Sequence, residues 1–179
     1  MRGETVAWLA LALAAPVQTA GIGVRVLNQG AAPQKVVIAA ERTAAEILHR
    51  AGLEVGWGEA NPCGLHLQLL RGRLADLTPD TNGFALLPAK GEGYAGVSYP
   101  KIEAAAQDLE TGVALLLGAA MAHEIGHLLL GPAHSPNGIM CPRFGLGQAR
   151  KLERGELLFS REEGERMRSA RPCVSAPGR

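Results

Sequence analysis

Apolar residues recur along this chain at two periods, and the switches between them mark its elements. Residues 23–27 (Gly-Val-Arg-Val-Leu) alternate as a short strand. Val36, Val37, Ala40, Ala44, Ile47, Leu48 and Ala51 then return at helical spacing, with Glu41, Arg42, Glu46 and Arg50 on the opposite face. Gly52 closes that helix. Residues 53–57 and 65–70 read as strands. Residues 76–83 are rich in turn formers, and 84–87 and 95–99 are two further strands on either side of a glycine-rich loop. The pattern so far is one strand, one helix, then four strands.

A second helix is predicted over residues 112–130, with Asp108 or Thr111 as its N-cap. Gly131 and Pro132 stop it, because glycine accepts the turn out of a helix and proline cannot continue one. Ser135-Pro136-Asn137-Gly138 is a turn. Helices follow over 147–154 and 160–169, the latter with Glu162, Glu163, Arg166 and Arg168 as a solvated face. This is an α+β chain, and its 179 residues suit one domain with a substantial core.

Composition changes the picture little. Aromatics are 4% of residues, so Ala, Leu and Val must fill the core, and a net charge of +1 argues against a nucleic-acid partner. Residues 6–15 are an apolar stretch of signal-peptide length, followed by Pro16 and the small Ala20, although Glu4 offsets Arg2 ahead of it. That predicts residues 1–20 as a signal peptide, 21–179 as the mature domain, and a secreted or periplasmic location. Beyond those twenty residues no apolar run is expected to span a bilayer. The cysteines are Cys63, Cys141 and Cys173, an odd number that allows one disulfide and one free thiol. Cys63 with Cys173 is the favoured pair.

The chemistry concentrates in His123-Glu124-Ile125-Gly126-His127. Two histidines four apart share a helix face, so their imidazoles can converge on one ion. Zinc suits such ligands, and Glu124 lies where it can act as general base on a water. A satisfied core histidine pair with a nearby glutamate would carry the same residues. The late position on an apolar helix, the Gly-Pro stop and a third histidine, His134, just beyond it favour the metal. His49 and His66 read as structural.

The segment from His123 to His134, with Gly138-Ile139-Met140 after it, resembles the metzincin clan of zinc proteases, whose pattern is HExxHxxGxxH with a downstream methionine turn. The likeness is specific over about thirty residues and architectural elsewhere. It implies a twisted mixed sheet, two main helices and a small C-terminal helical subdomain. It also implies His123, His127 and His134 as zinc ligands, Glu124 as base, Gly131 as the turn at the helix end and Met140 as the floor beneath the metal. The substrate would be a peptide or protein lying along a sheet edge at residues 83–88, or alternatively 95–99. One departure stands out: Gly131 falls four residues after His127, not three, which adds about 1.5 Å and 100° of helix. If that carries His134 off the metal, Glu153 or Glu156 would replace it, as in the gluzincins. Two other readings stay open: a non-catalytic zinc-stabilised binding domain, and a zinc amidase acting on a non-peptide substrate.

Overall fold

The computed structural model describes residues 20–29, 31–58, 64–72, 83–86 and 93–170. The proposed signal segment before residue 20, and both Cys63 and Cys173, lie outside the described residues. Cys141 is a buried free thiol.

Strand β1 (Ala20–Asn28) leads into helix α1 (Gln34–Arg50) through a connection organised by one side chain. Asn28 Oδ1 accepts from the backbone N–H groups of Ala31 and Ala32 at 3.0 and 3.1 Å, while its Nδ2 donates to the Ala32 carbonyl at 2.8 Å. The asparagine amide thus serves backbone groups that a tight turn leaves unpaired. The chain returns as β2 (Leu53–Trp57), parallel to β1. Gly52, at φ 82°, makes the turn between α1 and β2.

β3 (Leu65–Leu70), β4 (Gly83–Leu86) and β5 (Gly93–Ser98) complete a five-stranded sheet of order β2-β1-β3-β5-β4. Every pairing is parallel except β4 with β5. β3 shows the period-2 logic plainly: Leu65, Leu67 and Leu69 are buried, while His66, Gln68 and Leu70 alternate with them and are half-buried. Because β5 lies between β3 and β4, residues 95–99 do not form an edge. The described residues leave β4 as the outer strand on that side.

Helix α2 (Tyr99–Asp108) follows β5 directly and was not expected. Its first turn holds Pro100, whose fixed φ suits a helix start, and Tyr99, Ile102 and Ala106 face the core. Asp108 therefore ends α2 and does not begin the next helix. Glu110 at φ 51° and Thr111 form the connection, and Gly112 is the residue from which α3 (Val113–Leu130) starts. α4 (Leu146–Glu153) and α5 (Arg161–Ser169) close the described chain. The mixed α+β architecture is as expected, with five helices among the described residues.

α3 is the centre of the core. It is long and apolar enough to span a membrane by length and composition, contrary to the expectation from sequence, yet 56% of it is buried within the fold against α1, α2 and the sheet. Its approach to α1 depends on Gly118. A Cβ there would fall 2.5 Å from Thr43 Cβ and 2.6 Å from the Ala40 carbonyl. Gly118→Ala should therefore destabilise the protein by about 1–3 kcal/mol through overpacking. Gly147 in α4 has open space where its Cβ would be, so Gly147→Ala should leave stability unchanged or raise it by about 0.5–1 kcal/mol. Thermal or urea unfolding of both variants checks the contrast, and a stable Gly118→Ala protein would refute close α1–α3 packing.

Candidate metal centre

His123 and His127 project from the last turns of α3, and His134 returns to them from the loop beyond Gly131. His127 Nε2 lies 3.0 Å from His123 Nε2 and 3.2 Å from His134 Nε2. One nitrogen from each of the three histidines falls within a group no wider than 4.8 Å, the arrangement of residues that could hold a metal ion among the described residues. Four-coordinate zinc with Zn–N of about 2.0–2.1 Å separates ligand nitrogens by about 3.3 Å, close to the 3.0 and 3.2 Å that separate His127 from the other two.

The other ring nitrogens decide which protons are present. His123 Nδ1 is 2.8 Å from the Ile139 carbonyl, and His127 Nδ1 is 3.0 Å from the Gly131 carbonyl. A carbonyl only accepts, so both Nδ1 atoms must carry hydrogen, and in a neutral ring Nε2 is then a bare lone pair. Burial, followed by the proximity of His127 and His134, lowers the His123 pKa to about 4, against the opposing bond to Ile139. The His134 pKa is also lowered, by burial and then by His127. His123 is thus neutral at pH 7. In the neutral tautomers that these carbonyl bonds select, the Nε2 lone pairs of His123 and His127 face one another at 3.0 Å, an arrangement that a cation can satisfy.

Glu124 sits one residue after the first histidine and is buried, with 6% of its surface exposed. Among the described residues its Oε2 has no hydrogen-bond partner, and burial raises its pKa to about 8. The carboxylate abuts the edge strand: a Cβ on Gly83 would overlap Glu124 Oε1 and lie 2.7 Å from the Gly96 carbonyl. Glycine at position 83 is what lets β4 run beside this acid.

Gly126, between Glu124 and His127, has a similar role on another side of the helix. A Cβ there would be 2.5 Å from Met140 Sδ and 2.8 Å from the Phe159 ring. Met140 is 1% exposed and therefore packs directly on the helix that carries the histidine pair. The His123 ring also meets Phe144 edge-on at 6.1 Å.

The longer helix end is accommodated by backbone. The Gly131 N–H still bonds the His127 carbonyl at 2.9 Å, so α3 keeps its register through Leu130. Gly131 then adopts φ 96°, ψ −173°, a region essentially closed to other residues. After it the chain bends back: the Ser135 N–H donates to the Met140 carbonyl at 2.9 Å and the Ile139 N–H to the Leu158 carbonyl at 3.0 Å. His134 joins the cluster by this route. Glu156 does not replace it, since it pairs with Arg154 at 2.7 Å on the surface, and Glu153 is exposed at the end of α4. Cys141 Sγ turns to the Arg143 carbonyl at 3.3 Å and stands outside the group. His49 bonds Glu54 and His66 stacks on Tyr94, and neither belongs to the three-histidine group.

The solvated face expected of α5 is only partly so. Glu163 is buried and Arg168 half-buried, with its Nη1 donating to the Ala51 carbonyl at 2.6 Å. Glu163 bonds the Ser135 hydroxyl, and Arg166 Nη2 donates to the Leu130 carbonyl at 3.0 Å. The Ser160-x-x-Glu163 spacing of a capping box was the sequence signal for the first of these residues. Their distant partners had none.

No family model and no curated protein matches this chain. Among solved structures it is similar to a chain of the GM1 bound form of the ECX AB5 holotoxin, with 14% identity over 87% of this chain and 81% of that one, at a TM-score of 0.43. A likeness that distant carries no argument.

Two expectations follow. Gly131→Ala must place a Cβ in a disfavoured backbone region, costing about 1–3 kcal/mol and weakening metal binding through His134; calorimetry and metal titration test it, and wild-type behaviour in both counts against a required glycine. The second concerns pH in metal-free protein. The folded state holds the Glu124 carboxyl at a pKa of about 8 against an ordinary 4.5, so it retains a proton that the unfolded chain releases. The resulting contribution is fully favourable at low pH and declines as pH rises from about 4.5 to about 8. Between about pH 5 and pH 8, Glu124→Gln should therefore gain stability relative to wild type. A constant difference across that range would exclude a protonated Glu124.

Proposed function

We propose that this protein is a zinc-dependent hydrolase of metzincin type, an endopeptidase in which Glu124 is the general base. The observation that carries the reading is the convergence of three histidine nitrogens, with spacings of 3.0 and 3.2 Å, beside a buried carboxylate that has an unpartnered oxygen.

When bound, the metal supplies a Lewis acid that polarises a carbonyl and makes water more acidic. His123, His127 and His134 would hold it, the first two oriented by their Nδ1–carbonyl bonds. The charge of a cation opposes the burial that keeps Glu124 protonated, and so favours the ionised form a base requires. Glu124 then takes a proton from the attacking water on its carboxylate and returns it to the leaving amine. Phe144 and the body of α3 keep the His123 side of the site apolar.

A substrate in extended form would add to the side of β4 that is unpaired among the described residues, where main-chain pairing gives binding largely independent of side chain. Gly83 lets that strand pass against Glu124, so a peptide added there would cross near the base. A closed structural site would need a fourth protein ligand; among the described residues none joins the three histidines and Cys141 is directed elsewhere, which supports hydrolysis over a zinc-stabilised binding module. The apolar segment at residues 6–15 extends the proposal to an exported enzyme.

Purified protein should contain about one zinc per chain, lost in His123→Ala and His127→Ala. Glu124→Ala should keep the metal while hydrolysis falls by about 10²–10⁴-fold. Elemental analysis together with cleavage of a mixed peptide library, with and without chelator, provides the test. Zinc retained in the doubly substituted histidine variant would end the metal reading. Wild-type turnover in Glu124→Ala would remove the base. Metal with no peptide cleavage but release of amine from non-peptide amides would move the assignment to an amidase.

A further inference from the structure

His123 and His127 are each fixed twice, by the helix they stand on and by a bond from Nδ1 to a backbone carbonyl. His134 has no such support from a helix. It is exposed, and it lies on a loop that begins at a glycine and contains a proline. Its place in the cluster depends on what holds that loop.

Besides the backbone bond from Ser135 N–H to the Met140 carbonyl at 2.9 Å, the side chains that hold the loop come from α5. Glu163 and Arg166 are three apart on that helix and so share a face. Arg166 Nη2 donates to the Leu130 carbonyl, the last residue of α3, at 3.0 Å. Glu163 Oε1 accepts from the Ser135 hydroxyl, on the residue that follows His134. The bridged segment, Gly131-Pro132-Ala133-His134, is therefore gripped at both ends by one face of a helix remote in sequence. Glu163 is 6% exposed, and its second oxygen accepts from the Ser160 N–H at 2.7 Å. Ser160 Oγ in return accepts from the Glu163 N–H at 3.2 Å. Both oxygens are thus in use, and the carboxylate cannot swing away from Ser135 without leaving a buried oxygen unpaired.

We infer that Glu163 is a positioning residue for the third metal ligand: acting through Ser135, and with Arg166 at the other end of the loop, it sets His134 at metal-binding distance from His123 and His127. The inference rests on the three-histidine reading given above. It assigns α5 a role in metal affinity, although no residue of that helix belongs to the cluster.

The test uses zinc affinity, measured by competition with a chromophoric chelator, and the visible spectrum of the cobalt(II)-substituted protein. Ser135→Ala removes the hydroxyl but leaves the Ser160–Glu163 capping box intact. Zinc affinity should fall about 10–100-fold, the usual effect of losing a group that orients a ligand. The cobalt spectrum should weaken toward that of a six-coordinate ion as water displaces His134. Metal-free Ser135→Ala should unfold at close to the wild-type temperature. Glu163→Ala should lose at least as much affinity. Glu163→Gln should recover most of it, because its amide oxygen can accept from Ser160 N–H while its nitrogen donates to the Ser135 hydroxyl. His134→Ala is the reference for complete loss of the third ligand. Wild-type zinc affinity and cobalt spectrum in Ser135→Ala and Glu163→Ala, with both impaired in His134→Ala, would overturn the positioning role and leave the three-histidine site standing. Metal-free Ser135→Ala that no longer folds would also overturn it, since the bond would then serve the fold. Wild-type affinity in His134→Ala would refute the three-histidine reading, and this proposal with it.

Discussion

In the neutral tautomers of His123 and His127, two imidazole lone pairs face one another at 3.0 Å and repel, and burial leaves them little water with which to relieve it. The backbone favours this arrangement. Carbonyls of Ile139 and Gly131 each claim the proton on the far side of a ring, so neither histidine can turn its donor inward without abandoning a bond. A cation held by the three histidines would resolve that opposition. A cation bound there would add to the stability of the folded chain, because it would bind the folded arrangement of histidines and not the unfolded one.

Three glycines let the surrounding elements come close enough. Gly118 admits α1 against α3, Gly126 admits Met140 and Phe159, and Gly83 admits the edge strand beside Glu124. Each replaces what would be a side-chain collision with backbone or ring contact, and each is needed for packing and not for an unusual φ. The helix is thereby enclosed along much of its length, which accounts for the buried state of Glu124 and its raised pKa. The same enclosure makes α3 look like a membrane span by composition. A helix buried nearly all round must be apolar nearly all round, whether its surroundings are lipid or protein.

Legibility followed the range of the interactions. β2 and β3, α1 and the end of α3 were readable because period, glycine and proline act within a few residues of themselves. The histidine pair was readable because helical spacing alone puts i and i+4 on one face. α2 was missed: the apolar run 95–99 continues through Tyr99, and the strand ends at Ser98, where the hydroxyl bonds the carbonyl of distant Gly72. Glu163, Arg166 and Arg168 read as surface charges because their partners, Ser135, Leu130 and Ala51, lie about 28 to 117 positions away. That His134 reaches the cluster despite the longer helix also could not be read from spacing, since the answer lies in one backbone conformation at Gly131.

The longer helix end has its own electrostatic consequence. A helix leaves its last carbonyls without intrahelical donors, and lengthening α3 to Leu130 moves that need further out along the axis. Arg166 answers it with a guanidinium N–H on the Leu130 carbonyl, which also places positive charge at the negative end of the helix dipole. Gly131 meanwhile must turn the chain at once, because a further helical residue would rotate the following segment by about 100° away from the histidine pair. Its carbonyl then accepts from His127 Nδ1, so the residue that ends the helix also orients a histidine within it. The spacing is thus sustained by a donor from α5 and by glycine's backbone, two elements that must be retained together if the chain is to keep its three histidines in one group.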